Sequence, residues 1–134
     1  MMSVLFEPYP IGKMEIRNRF VHSATYEAMA EDDGKVTEKL VTRYADLSKG
    51  EVGLIIPGHV YVHRFGIAHR KQTGIYSDEM IPGLKKITDA VHQYGGKIAF
   101  QLAHAGRQAS ARPDRMSPPR PNSPCADRPG VREE

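Results

Sequence analysis

The chain has 134 residues, of which 40% are hydrophobic, 26% charged and 7% aromatic, and its formal net charge is +3. These are the fractions of a folded globular chain, which excludes a disordered, collagen-like or membrane-embedded protein. The length allows one domain with a real core, but not the roughly 250 residues of an eight-stranded α/β barrel.

Further exclusions follow from pattern. No run reaches the roughly 18 apolar residues of a membrane-spanning helix. The N-terminus has no basic segment followed by an apolar one, so a signal peptide is not expected. Cys125 is the single cysteine, and the expected compartment is the cytoplasm. Arg and Lys are interleaved with acids, including in the stretch 107–134. A nucleic-acid footprint is denser and one-sided, so no nucleic-acid partner is expected.

In chain order, residues 4–18 read as an extended entry with a hairpin, Gly12-Lys13 lying between two short alternating arms. Arg19 to Thr25 read as a first strand that ends in small residues. Residues 26–36 form a loop around Glu31-Asp32-Asp33-Gly34. Thr37 is placed as a helix N-cap, Glu38 suits the helix dipole, and Gly50 stops the helix. Leu40, Val41, Tyr44, Ala45 and Leu47 supply its apolar face. Val52-Gly53-Leu54-Ile55-Ile56 is apolar without alternation, the mark of a strand buried on both faces of a parallel sheet.

Pro57-Gly58 breaks that strand and opens a loop to about residue 75 that is rich in His and Arg. A second helix follows, with Met80, Ile81, Leu84, Ile87, Ala90 and Val91 on one face. Its regular part is predicted to start at Pro82, and Gly95-Gly96 end it. Lys97 to Ala103 read as a third strand. Six of the ten prolines lie beyond His104, where periodicity is lost and a loop or disordered tail is expected. The domain is therefore drawn as 1–110, with a Pro/Arg-rich tail over 111–134. The order is β-α-β-α-β with connections long enough for right-handed crossovers. Polar residues gather after the strand ends, the edge where parallel α/β folds bind ligands. No GxGxxG or GxxxxGK[ST] loop is present.

Several segments resemble the N-terminal part of the old yellow enzyme family. They are Leu5-Phe6-Glu7-Pro8, Ile11-Gly12, Asn18-Arg19-Phe20-Val21, Val52 to Ile56, Gly74 to Glu79, and Gly96-Lys97-Ile98 through Gln101-Leu102-Ala103-His104-Ala105-Gly106-Arg107. The resemblance is collinear over residues 4–110, and the Gln-Leu-Ala-His-Ala-Gly-Arg run is its most specific part. It implies the N-terminal β-α-β-α-β portion of a (β/α)8 barrel with bound FMN, preceded by the hairpin. It also implies NADH or NADPH as reductant and a small-molecule electron acceptor such as an activated alkene.

By the same resemblance, Ser23, Ala24, Thr25 and Tyr26 lie along the flavin. His59 offers a backbone N–H to it, although other members often have a small residue there. Gln101 pairs with its pyrimidine edge, as a carboxamide with donors and an acceptor can. A strand end of small side chains, a solvated loop histidine and a capping glutamine are the plain structural alternatives for these three places. Tyr26, His104 and Arg107 are candidates for a catalytic part. Tyr26 matches either of two family positions, because the pattern breaks at Tyr26-Glu27-Ala28. Ala103 stands where several members have tryptophan, which implies a roomier pocket. His63, His69 and His92 lack metal-ligand spacing, so no metal is expected. A family barrel has eight strands and this chain supplies about three. It therefore reads as an N-terminal piece, inactive alone; the alternative is an inactive fragment that folds only by self-association across its open sheet edge or with the missing part of the barrel.

Overall fold

The computed structural model describes residues 3–109; the tail expected over 111–134 lies outside them. The expected hairpin forms from β1 (Tyr9–Ile11) and β2 (Met14–Ile16), with Gly12 at φ +59° in the turn between them. Only a residue without a Cβ takes that conformation freely.

The centre of the fold is a parallel sheet of β3 (Val21–His22), β4 (Leu54–Ile55) and β6 (Lys97–Ile98), in the order β3-β4-β6. Its register aligns His22 with Ile55 and Ile55 with Ile98. Two helices make the crossovers, α1 (Glu38–Lys49) and α2 (Ile81–Gln93). The Thr37 hydroxyl accepts the N–H of Leu40, and the chain leaves α1 at Gly50, as the sequence predicts. A short 3-10 turn over Asp78–Met80 precedes α2, which begins at Ile81 and takes Pro82 in its first turn, where proline costs no hydrogen bond.

The core lies between the sheet and the helices. Leu40 and Tyr44 of α1 meet Ile55, Ile87, Val91 and Ala30. Ser48 is also buried, and its hydroxyl donates to the Val91 carbonyl at 2.8 Å. A Cβ at Gly96 would overlap Ser48 and Val91, so the chain re-enters the sheet hard against both helices. Ile81, assigned to the buried face from sequence, is 55% exposed. The stripe that packs is Met80, Leu84, Ile87 and Val91, and Ile81 sits one residue round the helix from it.

The strands are shorter than the sequence suggests, and the third is interrupted. Its continuation, β7 (Leu102–Ala103), pairs in parallel with β5 (Val60–Tyr61), a strand inside the segment read as a loop. Partner numbers differ by 43 between β4 and β6, and by 42 between β5 and β7. One extra residue is therefore taken up at Pro57-Gly58-His59, as in a bulge, and Pro57 has no N–H for a ladder there.

Asn18 fixes the opposite end of the sheet. It is buried, its Nδ2 donates to the Glu51 carbonyl at 2.6 Å, and its Oδ1 accepts the Phe20 N–H at 3.1 Å. Gly53 passes so close that a Cβ there would overlap the Asn18 carbonyl. Among the described residues β3 and β6 each keep one unpaired edge, and no helix is long and apolar enough to cross a membrane.

Truncating Ile55, which is 0% exposed, removes contacts to both helices. Ile55→Ala is expected to lower stability by about 2–5 kcal/mol, and Ile81→Ala by no more than about 0.5 kcal/mol. Urea midpoints of the two variants check the contrast; equal losses would contradict this packing.

Candidate functional site

The C-terminal ends of the three parallel strands come out on one edge of the sheet, since register is kept from His22 through Ile55 to Ile98. The segments that follow form a ledge. Ser23, Ala24, Thr25 and Tyr26 leave β3, all exposed. Pro57-Gly58-His59 joins β4 to β5, and Gln101 stands just before β7.

These segments touch. A Cβ at Gly58 would overlap both the Thr25 carbonyl and the Glu27 carboxylate, so the β3 and β4 exits pass at van der Waals distance. The Val60 N–H donates to the Gln101 carbonyl at 2.8 Å, and the register of Val60 with Leu102 puts His59 beside Gln101.

The His59 turn is held at each peptide but one. The Gly58 N–H donates to Glu27 Oε1 at 3.1 Å. The His59 carbonyl accepts from Gln72 Nε2 at 2.9 Å. Gln72 is itself buried, and its Oε1 accepts the N–H groups of Ala68 and His69. What remains is the His59 N–H, which has no acceptor among the described residues. The exposed Gln101 amide likewise has no partner there. A free backbone donor and a free carboxamide thus stand side by side on the ledge.

Glu27 also accepts the hydroxyl of Tyr44, which is 1% exposed. Burial, and then the hydrogen bond to and negative charge of Glu27, raise the Tyr44 pKa well above its ordinary 10.0. The phenol therefore stays a neutral donor. One carboxylate so joins the β3 exit, the β4 exit and α1.

The other candidates take different places. Thr25 turns its hydroxyl back to the Ser23 carbonyl at 3.1 Å. Tyr26 donates to the Arg70 carbonyl, and its ring lies 5.0 Å from that of His69, which ties it to the basic loop. His104 and Arg107 lie beyond the ledge, past β7, and are exposed. Among the described residues no three His, Cys, Asp or Glu side chains are grouped to hold a metal.

Sequence reasoning missed Glu27, Tyr44 as a hydrogen-bond donor, and Gln72. Glu27 had a signal: it is the only acid between Glu15 and Glu31, and it adjoins the strand exit. Gln72 had none, since its partners come from a turn that it helps to create.

The profile of the NADH:flavin oxidoreductase / NADH oxidase family matches residues 4–131. Among solved structures, an old yellow enzyme homologue from Zymomonas mobilis is 32% identical, with a TM-score of 0.74 over 80% of this chain and 30% of its own. An old yellow enzyme from Pichia sp. AKU4542 is 29% identical, with a TM-score of 0.75 over 80% of this chain and 28% of its own. A morphinone reductase solved with tetrahydroNAD is 27% identical, with a TM-score of 0.71 over 81% and 29%. The chain thus spans less than a third of the structures it matches. What it shares with them is part of a (β/α)8 barrel, to which its parallel strands and crossover helices correspond.

Removing the Glu27 carboxylate would leave the Tyr44 hydroxyl buried without an acceptor. Glu27→Ala is expected to cost about 1–3 kcal/mol, and Glu27→Gln less because its amide oxygen still accepts. Urea unfolding at neutral pH checks this; a Glu27→Ala midpoint equal to wild type would refute the clamp. Tyr44 adds a pH signature. Above about pH 10 the unfolded chain ionises this phenol while the folded chain holds it neutral. Stability is therefore lost as pH rises from about 10, and Tyr44→Phe should lack that part of the loss. Denaturation midpoints at pH 8 and pH 11 for both proteins measure it.

Proposed function

Because the chain belongs to the NADH:flavin oxidoreductase / NADH oxidase family, we propose that its ledge is the part of an FMN site that faces the isoalloxazine ring. The carrying observation is the pair on that ledge that has no partner among the described residues, the His59 N–H and the Gln101 amide, adjacent in register. A flat ring whose edge alternates donors and acceptors is what such a pair satisfies. Ser23 and Ala24 suit it too, since small side chains let the backbone lie close to a ring.

In this reading the residues have separate tasks. Gln101 reads the pyrimidine edge with donor and acceptor together. The His59 N–H supplies a fixed main-chain donor, and Glu27 and Gln72 hold its turn in place without touching the ring. Thr25 and Tyr26, each tied to a main-chain carbonyl, shape the wall beside it. The chemistry that FMN supplies when bound is hydride transfer from NADH or NADPH to an activated alkene or another small-molecule acceptor. The place of action we assign is the cytoplasm. Self-association is the rival reading, favoured by the edges of β3 and β6 that are unpaired among the described residues and by the exposed Val4, Leu5 and Phe6.

The test is an FMN titration of the full chain, read by quenching of flavin fluorescence and by elution volume. Gln101→Leu is expected to weaken binding at least about tenfold, while Gln108→Leu, on the turn past β7, leaves it unchanged. Equal binding by Gln101→Leu, or none by the parent chain, would overturn the flavin reading. FMN carried by a monomer would remove self-association as its rival.

A further inference from the structure

The loops past β5 and β7 carry two histidines that neither the core nor the ledge uses. His63 and His104 are neighbours, with ring centroids 6.2 Å apart and planes tilted by 34°. Both rings are oriented by the same device. The Phe65 N–H donates to His63 Nδ1 at 3.2 Å, and the Gly106 N–H donates to His104 Nδ1 at 3.0 Å. A ring nitrogen that accepts a hydrogen bond carries no proton, so each neutral imidazole holds its proton on Nε2. No protein acceptor meets either Nε2 among the described residues.

The surroundings keep the pair in place. The Phe65 ring lies 5.3 Å from that of His63. Gly66 abuts the His104 ring so closely that a Cβ would overlap it, and the Gly66 carbonyl accepts the Ala105 N–H at 2.9 Å. The two loops are therefore joined to each other as well as to the strands below.

This geometry decides between two kinds of ligand. A metal on Nε2 would force the ring proton onto Nδ1, head-on to a backbone N–H. Metal-bound histidines instead donate from their second nitrogen to a carbonyl or carboxylate. The pair is built to donate, and the local charge says to what. No acid lies between Glu51 and Asp78, or between Asp89 and Asp114, while Arg64 and Arg107 stand on the same two loops; Asp32, which reaches the first loop from outside it, is paired with Arg70 at 3.7 Å.

We propose that His63 and His104 form a binding site for a small carboxylate, each Nε2–H donating to one of its oxygens. With hydrogen bonds of about 2.9 Å, the two oxygens of one carboxylate at the shared rim can bridge donors on rings whose centroids are 6.2 Å apart. The proposal does not depend on the flavin reading, because its probes are not flavins.

Nitrogen-15 spectra of the histidine rings in the full chain test it. The neutral form of both rings is expected as the Nε2–H tautomer. Acetate and benzoate, added at constant ionic strength, should shift both Nε2 signals, while acetamide and benzamide should not. His63→Ala or His104→Ala should weaken carboxylate binding about tenfold or more; both rings are exposed, so neither change opens the core. Mixed tautomers, or equal shifts with the amides, would overturn the proposal. So would carboxylate binding that survives loss of both rings, which would trace to diffuse arginine charge, or stoichiometric zinc binding to the pair.

Discussion

Parallel register is the constraint on which the site rests. With His22, Ile55 and Ile98 level across β3, β4 and β6, the three chain exits leave one edge of the sheet together. A slip of one residue would turn every side chain to the opposite face and carry Ile55 out of the core. Two side chains hold the register from opposite ends. Asn18 joins the entry to β3 with the entry to β4, and Glu27 joins their exits and binds both to α1.

Backbone strain collects next to these anchors. Ala28, Glu51 and Lys71 are the non-glycine residues with positive φ among those described, at +55°, +62° and +56°. Each such conformation costs about 1–2 kcal/mol. Ala28 follows Glu27. Glu51 presents the carbonyl that Asn18 uses. Lys71 precedes Gln72 and accepts the N–H of the buried Ala30. The chain takes strained turns where a polar side chain must be aimed at a neighbouring strand's peptide, and hydrogen bonds in a half-buried setting offset that strain.

Local chemistry made the helices legible, while the break in the sheet depends on distant partners. Thr37 and Gly50 bound α1 through bonds within a few residues, so spacing alone revealed them. Val60-Tyr61 has no such signal. It becomes a strand because Leu102-Ala103 lies beside it, and the run from Lys97 to Ala103 divides because Pro57-Gly58-His59 takes up one residue more than the segment opposite. The candidate site divides in the same way. Ser23, His59 and Gln101 could be named from residue type, position after a strand and family resemblance. Tyr44 was legible only as one more apolar position on a helix face, because what sets its role is a carboxylate 17 residues away.

The ledge and the loops beyond it differ in charge, and the difference has a physical use. Two groups on the ledge without a partner among the described residues, the His59 N–H and the Gln101 amide, are neutral. Neutral groups can match an edge of mixed donors and acceptors without the desolvation that a buried charge incurs. Glu27, the one acid beside them, is engaged by a phenol and a peptide N–H, so little of its charge faces outward. Arg64 and Arg107 stand a step further out, on the turns past β5 and β7. Charges at that distance act through a field that reaches beyond contact, whereas an uncharged donor or amide acts only on a group within hydrogen-bond reach.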